Sequence, residues 1–186
     1  MSIKNKILGV GNEKIPNLAF RCMTLTYRIM DFFYFDKKYM ETIGLQPGQT
    51  VIDYGCGPGR YIKIASERVG KTGIVYAVDI HRIALQYVER KINRYGLTNV
   101  KIRLADGYFT GLPDHTADVV YALDMFHMIS DPDAFLTELH RLTKPGGRLI
   151  IEDGHQPRVS SRYKILKSGK WEISKETNRF LTCIPN

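Results

Sequence analysis

Along residues 50–152 the apolar positions alternate between two rhythms. Short, nearly continuous runs rich in Val, Ile and Tyr give way to stretches whose apolar residues recur every three or four positions. The first rhythm belongs to strands buried on both faces, and the second to helices with one buried stripe. Thr50–Tyr54, Ile74–Asp79, Val100–Leu104, residues 119–123 and residues 148–152 read as strands. Between them, residues 60–69 read as a helix through Ile62, Ile64, Ala65 and Val69, broken by Gly70 to Gly73. Arg82–Tyr95 reads as a second helix, with Leu85, Val88 and Ile92 on one stripe and Gly96 as its stop. Residues 107–116 read as a loop. Asp131-Pro132-Asp133 opens a third helix with a capping carboxylate, a first-turn proline and an acid facing the dipole. Its stripe is Phe135, Leu136, Leu139 and Leu142, and Lys144-Pro145-Gly146-Gly147 is its stop.

This alternation predicts an α/β fold, a doubly wound, Rossmann-like and mostly parallel sheet with right-handed crossovers. After it, Arg158–Lys167 reads as a basic helix, and residues 171–173 and 180–184 as strands joined by a turn over 175–178. An antiparallel hairpin there would close the edge and bring the sheet to seven strands. Residues 1–45 lie outside the pattern. Residues 18–39 carry Phe20, Tyr27, Phe32, Phe33, Tyr34, Phe35 and Tyr39, and read as a helical lid segment before a domain spanning 46–186.

Composition narrows the class. With 186 residues the chain is long enough to bury a core without staples. No apolar run reaches the roughly 18 residues that span a bilayer, and residues 1–14 lack the apolar core of a secretory signal. Cys22, Cys56 and Cys183 are far apart and form no C-x-x-C pair, which points away from a disulfide framework or a zinc site and towards the reducing cytoplasm. The net charge of +8 is uneven: +3 over residues 1–50, −1 over 51–140 and +6 over 141–186. Arg158, Arg162, Lys164, Lys167 and Lys170 read either as a solvated helix face or as a surface for phosphates or an acidic partner. No stacking aromatic array accompanies them, so nucleic acid is not the favoured partner.

The chemistry gathers at the ends of the strands, where ligands bind in doubly wound sheets. The first strand runs into Asp53-Tyr54-Gly55-Cys56-Gly57-Pro58-Gly59-Arg60. Glycines at alternate positions permit left-handed backbone and close approach of a ligand. A dinucleotide fingerprint would place its third glycine where Arg60 stands, and a carboxylate at Asp53 repels pyrophosphate but attracts a cation. The second strand ends in Asp79, 20 residues after Gly59, the spacing of an acid that takes ribose hydroxyls. The third ends in Asp106-Gly107, where a carboxylate could accept from adenine N6 and glycine leaves room for the ring, and the fourth ends in Asp124. Each acid alone is also a common cap or turn former. Together with the glycine loop they point to a positively charged nucleoside.

The segments VIDYGCGPGR (51–60), VYAVDI (75–80), LADG (104–107) and LTKPGGRLIIED (142–153) resemble the successive motifs of class I S-adenosylmethionine-dependent methyltransferases. The resemblance is strongest to the ubiquinone/menaquinone-biosynthesis-like, type 11 branch, and covers about residues 40–186. It implies that Asp53, Gly55, Gly57 and Gly59 surround the methionine portion of the cofactor, with Cys56 in the same loop. It also implies that Asp79 takes the ribose, that Ile80 lines the adenine, that Asp106 and Gly107 lie at its amino group, and that the main chain of Ala122 and Leu123 approaches the ammonium. The cofactor would then be S-adenosylmethionine, with S-adenosylhomocysteine as product, and no metal.

Methyl transfer from a sulfonium needs an in-line nucleophile and exclusion of water, with a base only when the acceptor must lose a proton. His127 is the favoured base, ahead of Asp124 and His155, because an imidazole titrates near neutrality. Tyr34 and Tyr54 are candidate pocket walls. The Asn/Asp-Pro-Pro-Tyr-like signature of exocyclic-amine methylation is missing near Asp124, no cysteine follows the fourth or fifth strand as cytosine-C5 chemistry needs, and Cys22 and Cys183 are too few for arsenite chemistry, although the fold could bring Cys22 near. A small, flat apolar acceptor under an aromatic lid fits these absences best. RNA or protein methylation, and a non-catalytic domain that binds the cofactor alone, are the alternatives. The acceptor atom and the oligomeric state are not legible.

Overall fold

The computed structural model describes residues 16–34 and 37–186, with side chains from 27 to 39 excepted. In chain order the elements are α1 (Asn17–Tyr34), α2 (Lys37–Ile43), β1 (Thr50–Tyr54), α3 (Ile62–Val69), β2 (Ile74–Asp79), α4 (Arg82–Tyr95), β3 (Val100–Leu104), β4 (Ala117–Ala122), α5 (Pro132–Leu142), β5 (Thr143–Glu152), α6 (Arg158–Lys167), β6 (Trp171–Glu176) and β7 (Phe180–Pro185). A single 3₁₀ turn, Phe126–Met128, follows β4. The strands form one seven-stranded sheet in the order β3-β2-β1-β4-β5-β7-β6. β1 pairs in parallel with β2 and β4, β2 with β3, and β4 with β5, whereas β7 is antiparallel to both β5 and β6.

This is the architecture the alternation predicts. β1 and β2 are central, and their residues are buried on both faces, which is why they read as unbroken apolar runs. β3 lies at the edge; its Lys101 and Arg103 face solvent, charges of the kind that blunt an open edge. One face of the sheet carries Ile52, Val120, Leu149 and Ile151 against α5, Ile165 of α6 and Trp171. The other carries Val51, Val75, Ala77 and Tyr121 against Met40 and Ile43 of α2, Ile62, Ala65 and Val69 of α3, and Val88 of α4. Each fully buried Leu or Phe of the α5 stripe contributes roughly 1.5–3 kcal/mol relative to exposure. Asp131 caps α5 by accepting from Ala134 N at 3.0 Å, and Gly96 ends α4 in the left-handed conformation.

Two boundaries differ from the sequence reading by more than two residues. β5 begins at Thr143, not Arg148, because Thr143 already pairs with Ala117; a register shift then absorbs Lys144 to Gly147 before Arg148 pairs with Val119. β6 runs on to Glu176, with another shift near Ile173, and the turn is correspondingly later. The basic helix α6 spends much of its charge within the fold. Arg158 bonds Asp153 at 2.5 Å and the Thr177 carbonyl at 2.8 Å, Arg162 bonds Glu176 at 2.5 Å, and Lys164 donates to Gln156 at 2.8 Å.

Candidate functional site

The chain runs outward from β1 through β2 to β3, then crosses back to lay β4 on the opposite side of β1. The carboxyl ends of β1 and β4 therefore border the topological switch point, and a cleft opens there. Among the described residues its lining includes Asp53, Gly55, Cys56, Gly57, Asp79, Ile80 and Leu123, all expected from the sequence. Gly59, Asp106, Gly107, Ala122 and His127 do not line it.

The loop after β1 is fixed by main-chain bonds: Gly55 N and Cys56 N both donate to Val78 O, at 2.8 and 3.0 Å. Gly55, Gly57 and Gly59 all have positive φ, so the alternating glycines meet a backbone demand. Their surroundings differ. A Cβ on Gly57 would meet nothing within 4 Å and would stand on the cleft wall. A Cβ on Gly59 would come 2.9 Å from Val88 Cγ2 and 3.2 Å from Ile62 Cγ1. Gly59 is therefore a packing glycine that lets the loop lie on α4, and Lys91 reinforces it by donating to its carbonyl at 2.7 Å.

Asp79 is buried, and its two oxygens accept from Gly57 N and His81 N, both at 2.8 Å. Each carboxylate oxygen keeps a second acceptor site for a ligand hydroxyl. Burial raises its pKa, and the main-chain bonds work in the opposite direction. Asp53, only 3% exposed, is pushed up to about 8, chiefly by desolvation, with the nearby Tyr121 hydroxyl opposing and the Asp79 charge adding. Asp53 Oδ2 and the Tyr121 hydroxyl feel each other electrostatically, yet neither closes a hydrogen bond of good geometry with any described residue. A buried carboxyl without a counter-charge avoids the cost of ionisation by holding its proton, and a cation beside it favours the charged form. Cys56 also lines the cleft, but burial and the charges of Asp79 and Asp53 push its thiol well above the usual range, so it is not a nucleophile.

Of the remaining walls, the sequence reading includes Phe20 in its aromatic lid segment, Asp124 and Tyr54, but not Met23, Tyr61, Tyr108, Met125, Met128 or Ile129. Phe20 and Met23 of α1 reach the cleft one helical turn apart, and Phe20 stacks on His81 with centroids 4.6 Å apart. His81 in turn caps α4, accepting from Ile83 N at 3.3 Å. Tyr61, Tyr108, Met125, Met128 and Ile129 complete an apolar side. A three- to four-residue apolar spacing on α1, and the apolar string after Asp124, are the signals that could have found them. Tyr54 lines the cleft and donates to Tyr108 O at 2.6 Å; the side chain of Tyr34 lies outside the described residues.

Asp106 and Gly107 stand at the same rim, just past Ala105, whose N donates to Asp79 O at 3.0 Å; Asp106 itself is exposed and bridges to Phe109. His127 sits on the 3₁₀ turn beside the cleft. Its Nδ1 is buried without a described partner, and desolvation lowers its pKa.

Comparison with known proteins agrees with this geometry. Demethylmenaquinone methyltransferase of Geobacillus sp. (strain WCH70) is 30% identical over 118 residues, 63% of this chain and 50% of the relative. Phosphoethanolamine N-methyltransferase 1 of Zea mays is 34% identical over 119 residues, 63% of this chain and 23% of that protein. The chain thus spans about half or less of the length of the curated relatives it matches. A crystal structure of a SAM-dependent methyltransferase from Aquifex aeolicus superposes with a TM-score of 0.79 at 26% identity, covering 91% of this chain and 98% of that one. A methyltransferase-domain family matches residues 52–151, and the chain belongs to that family.

Proposed function

We propose that this protein is an S-adenosylmethionine-dependent methyltransferase acting on a small-molecule acceptor. The observation that carries the reading is the buried Asp53 Oδ2 on the wall of a glycine-lined cleft, which closes no hydrogen bond of good geometry among the described residues, on the strand paired with the one that ends in the oriented carboxylate of Asp79. When bound, S-adenosylmethionine supplies a methyl group on a sulfonium, already activated for displacement.

The residues present fit that group. Asp53 meets its positive methionine end and gains the counter-charge it lacks. Asp79, aimed by Gly57 N and His81 N, accepts from the ribose hydroxyls. Ile80 offers an apolar face to the adenine and the main chain of Leu123, just after Ala122, faces the ammonium, while Asp106 and Gly107 stand at the rim on the side of the adenine's amino group. Met125, Met128 and Ile129 keep water from the reacting centre, where desolvation strengthens every charge interaction. An acceptor that must shed a proton has Asp124 on the wall, with His127 and His155 next to it. Phe20 and Met23 of α1 line the cleft, which supports a lid role for this helix. Demethylmenaquinone and phosphoethanolamine methyltransferases among the relatives support a small-molecule acceptor. The internal pairing of Arg158 and Arg162 weakens the case for a nucleic-acid surface.

The test is transfer of a labelled methyl group from S-adenosylmethionine into separate metabolite, RNA and protein pools. Label in the metabolite pool alone supports the reading. Label confined to RNA or protein, or donor binding with no transfer to any pool, overturns it.

A further inference from the structure

β4 and β5 are neighbours in parallel, with Ala122 opposite Ile151, so the chain leaves both strands side by side on the rim of the cleft. Asp124 and His127 follow β4, and His155 follows β5. Their ligand atoms all lie within 4.8 Å of one another, and His155 Nε2 stands 3.9 Å from Asp124 Oδ1. Bonds of about 2.0–2.2 Å to a tetrahedral zinc-like ion place ligand atoms about 3.3–3.6 Å apart. Closing the observed triangle onto an ion therefore needs movements of little more than about 1 Å. His155, at 81% exposure, stands where it can swing.

His127 supplies the second observation. It is the most enclosed of the three, and its Nδ1 is buried without a described hydrogen-bond partner. It fits only because residue 154 is glycine: a Cβ there would lie 2.1 Å from Nδ1 and 2.8 Å from Cε1. The rings of His127 and His155 meet edge to face with centroids 4.9 Å apart. Two histidines and one carboxylate form a donor set suited to zinc, iron(II), cobalt or nickel, not to magnesium or calcium. Three protein ligands also leave a coordination position open, as in sites that act on a substrate.

We propose that Asp124, His127 and His155 bind one divalent transition-metal ion beside the cleft wall at Asp124, where its open position takes a hydroxyl oxygen of the acceptor. The role in catalysis rests on the methyltransferase reading; the binding of metal does not. Coordination would release the acceptor's hydroxyl proton to solvent at neutral pH. The resulting oxyanion, or the carbon it activates, forms the new bond to the methyl carbon. The methyl–sulfur bond breaks with its electron pair left on sulfur, giving a neutral thioether. When carbon is the nucleophile, that carbon's own proton leaves to solvent afterwards. Asp124 joins the two halves of the chemistry, being both a cleft residue and a member of the triad.

The experiment is a titration of the full chain, chelator-treated and free of any histidine tag, with Co²⁺ followed by visible absorption and with Zn²⁺ in competition with a chromogenic chelator. One equivalent should bind at micromolar concentration or tighter. His155→Ala, at an exposed position, should weaken it at least tenfold without changing the melting temperature of the metal-free chain, and His127→Ala should weaken it further. Cys22→Ser, the exposed thiol, should leave it unchanged. Absence of saturable one-to-one binding, or wild-type affinity in either His155→Ala or His127→Ala, overturns the proposal. Calorimetric binding of S-adenosylhomocysteine by the same samples keeps the two readings apart. Donor binding without metal binding sinks only this proposal, and metal binding without donor binding sinks only the methyl-donor reading.

Discussion

On the β1–β2 side of the cleft, Asp53 and Asp79 are almost fully buried, and two main-chain N–H groups hold the Asp79 carboxylate. On the β4–β5 side, Asp124 and His155 are exposed, Asp124 sits at a φ of 52°, and His127 leaves a ring nitrogen without a described partner. The first side is finished by the fold itself: its loop, its acids and its helix cap come from one stretch, residues 53–83. The second side is assembled from residues about 30 positions apart, on turns. Rigid backbone suits a ligand that never changes, the methyl donor. Exposed side chains on short turns, here Asp124 and His155, suit the part that must match one acceptor.

The donor side should therefore couple to folding more strongly than the exposed groups of the acceptor side. The largest expected effect is Gly59→Ala. The added Cβ would press on Val88 at a φ of 70°, and we expect a loss of about 2–3 kcal/mol in folding stability by denaturant titration. A change below about 0.5 kcal/mol would break the link between loop and fold.

Next in size is the pH dependence set by Asp53. Its folded-state pKa, about 8, lies above the ordinary 3.8, so the folded chain holds an extra proton between those values. Stability of the ligand-free chain is then greatest at the acid end of this window and falls as pH rises towards 8, with Asp79 acting in the same direction. A cationic donor selects the ionised form, so its affinity should rise by up to tenfold per pH unit and level off near pH 8. Asp53→Asn should flatten the curve, and a wild-type profile in that variant would remove Asp53 from the site.

Phe20→Ala tests whether α1 belongs to the donor side. Loss of the stack on His81 should weaken donor binding about three- to tenfold, in line with roughly 0.5–1.5 kcal/mol for an aromatic pair. The smallest donor-side effect is expected from Met128→Ala. It should lower turnover while changing donor affinity less than about twofold, because thioether side chains adapt and the donor acids are untouched. An equal loss of donor affinity in this variant would erase the division between the two sides.

The same division explains what could be read from sequence. β1, β2 and the glycine loop were legible because apolar periodicity, positive-φ glycines and Asp79 twenty residues on are all local. Gly59 was legible as a glycine, yet its neighbour Val88 is set by how α4 docks, so its role as a packing residue was not. The start of β5 was missed because Lys144-Pro145-Gly146-Gly147 carries stop signals, whereas pairing of Thr143 with Ala117 tolerates the bulge. His127 drew notice for its chemistry, but which side of a three-residue 3₁₀ turn faces a ligand depends on the cavity at Gly154. Its meeting with His155 is a property of adjacent strands, and no spacing reveals it.

The most direct measurement is a calorimetric titration of S-adenosylmethionine into the wild-type chain and Asp79→Ala, with folding checked by circular dichroism. We expect saturable one-to-one binding by the wild type and at least a hundredfold weaker binding by a still-folded Asp79→Ala, a difference of about 2.7 kcal/mol. Undiminished affinity in that variant would contradict a donor site built on Asp53 and Asp79.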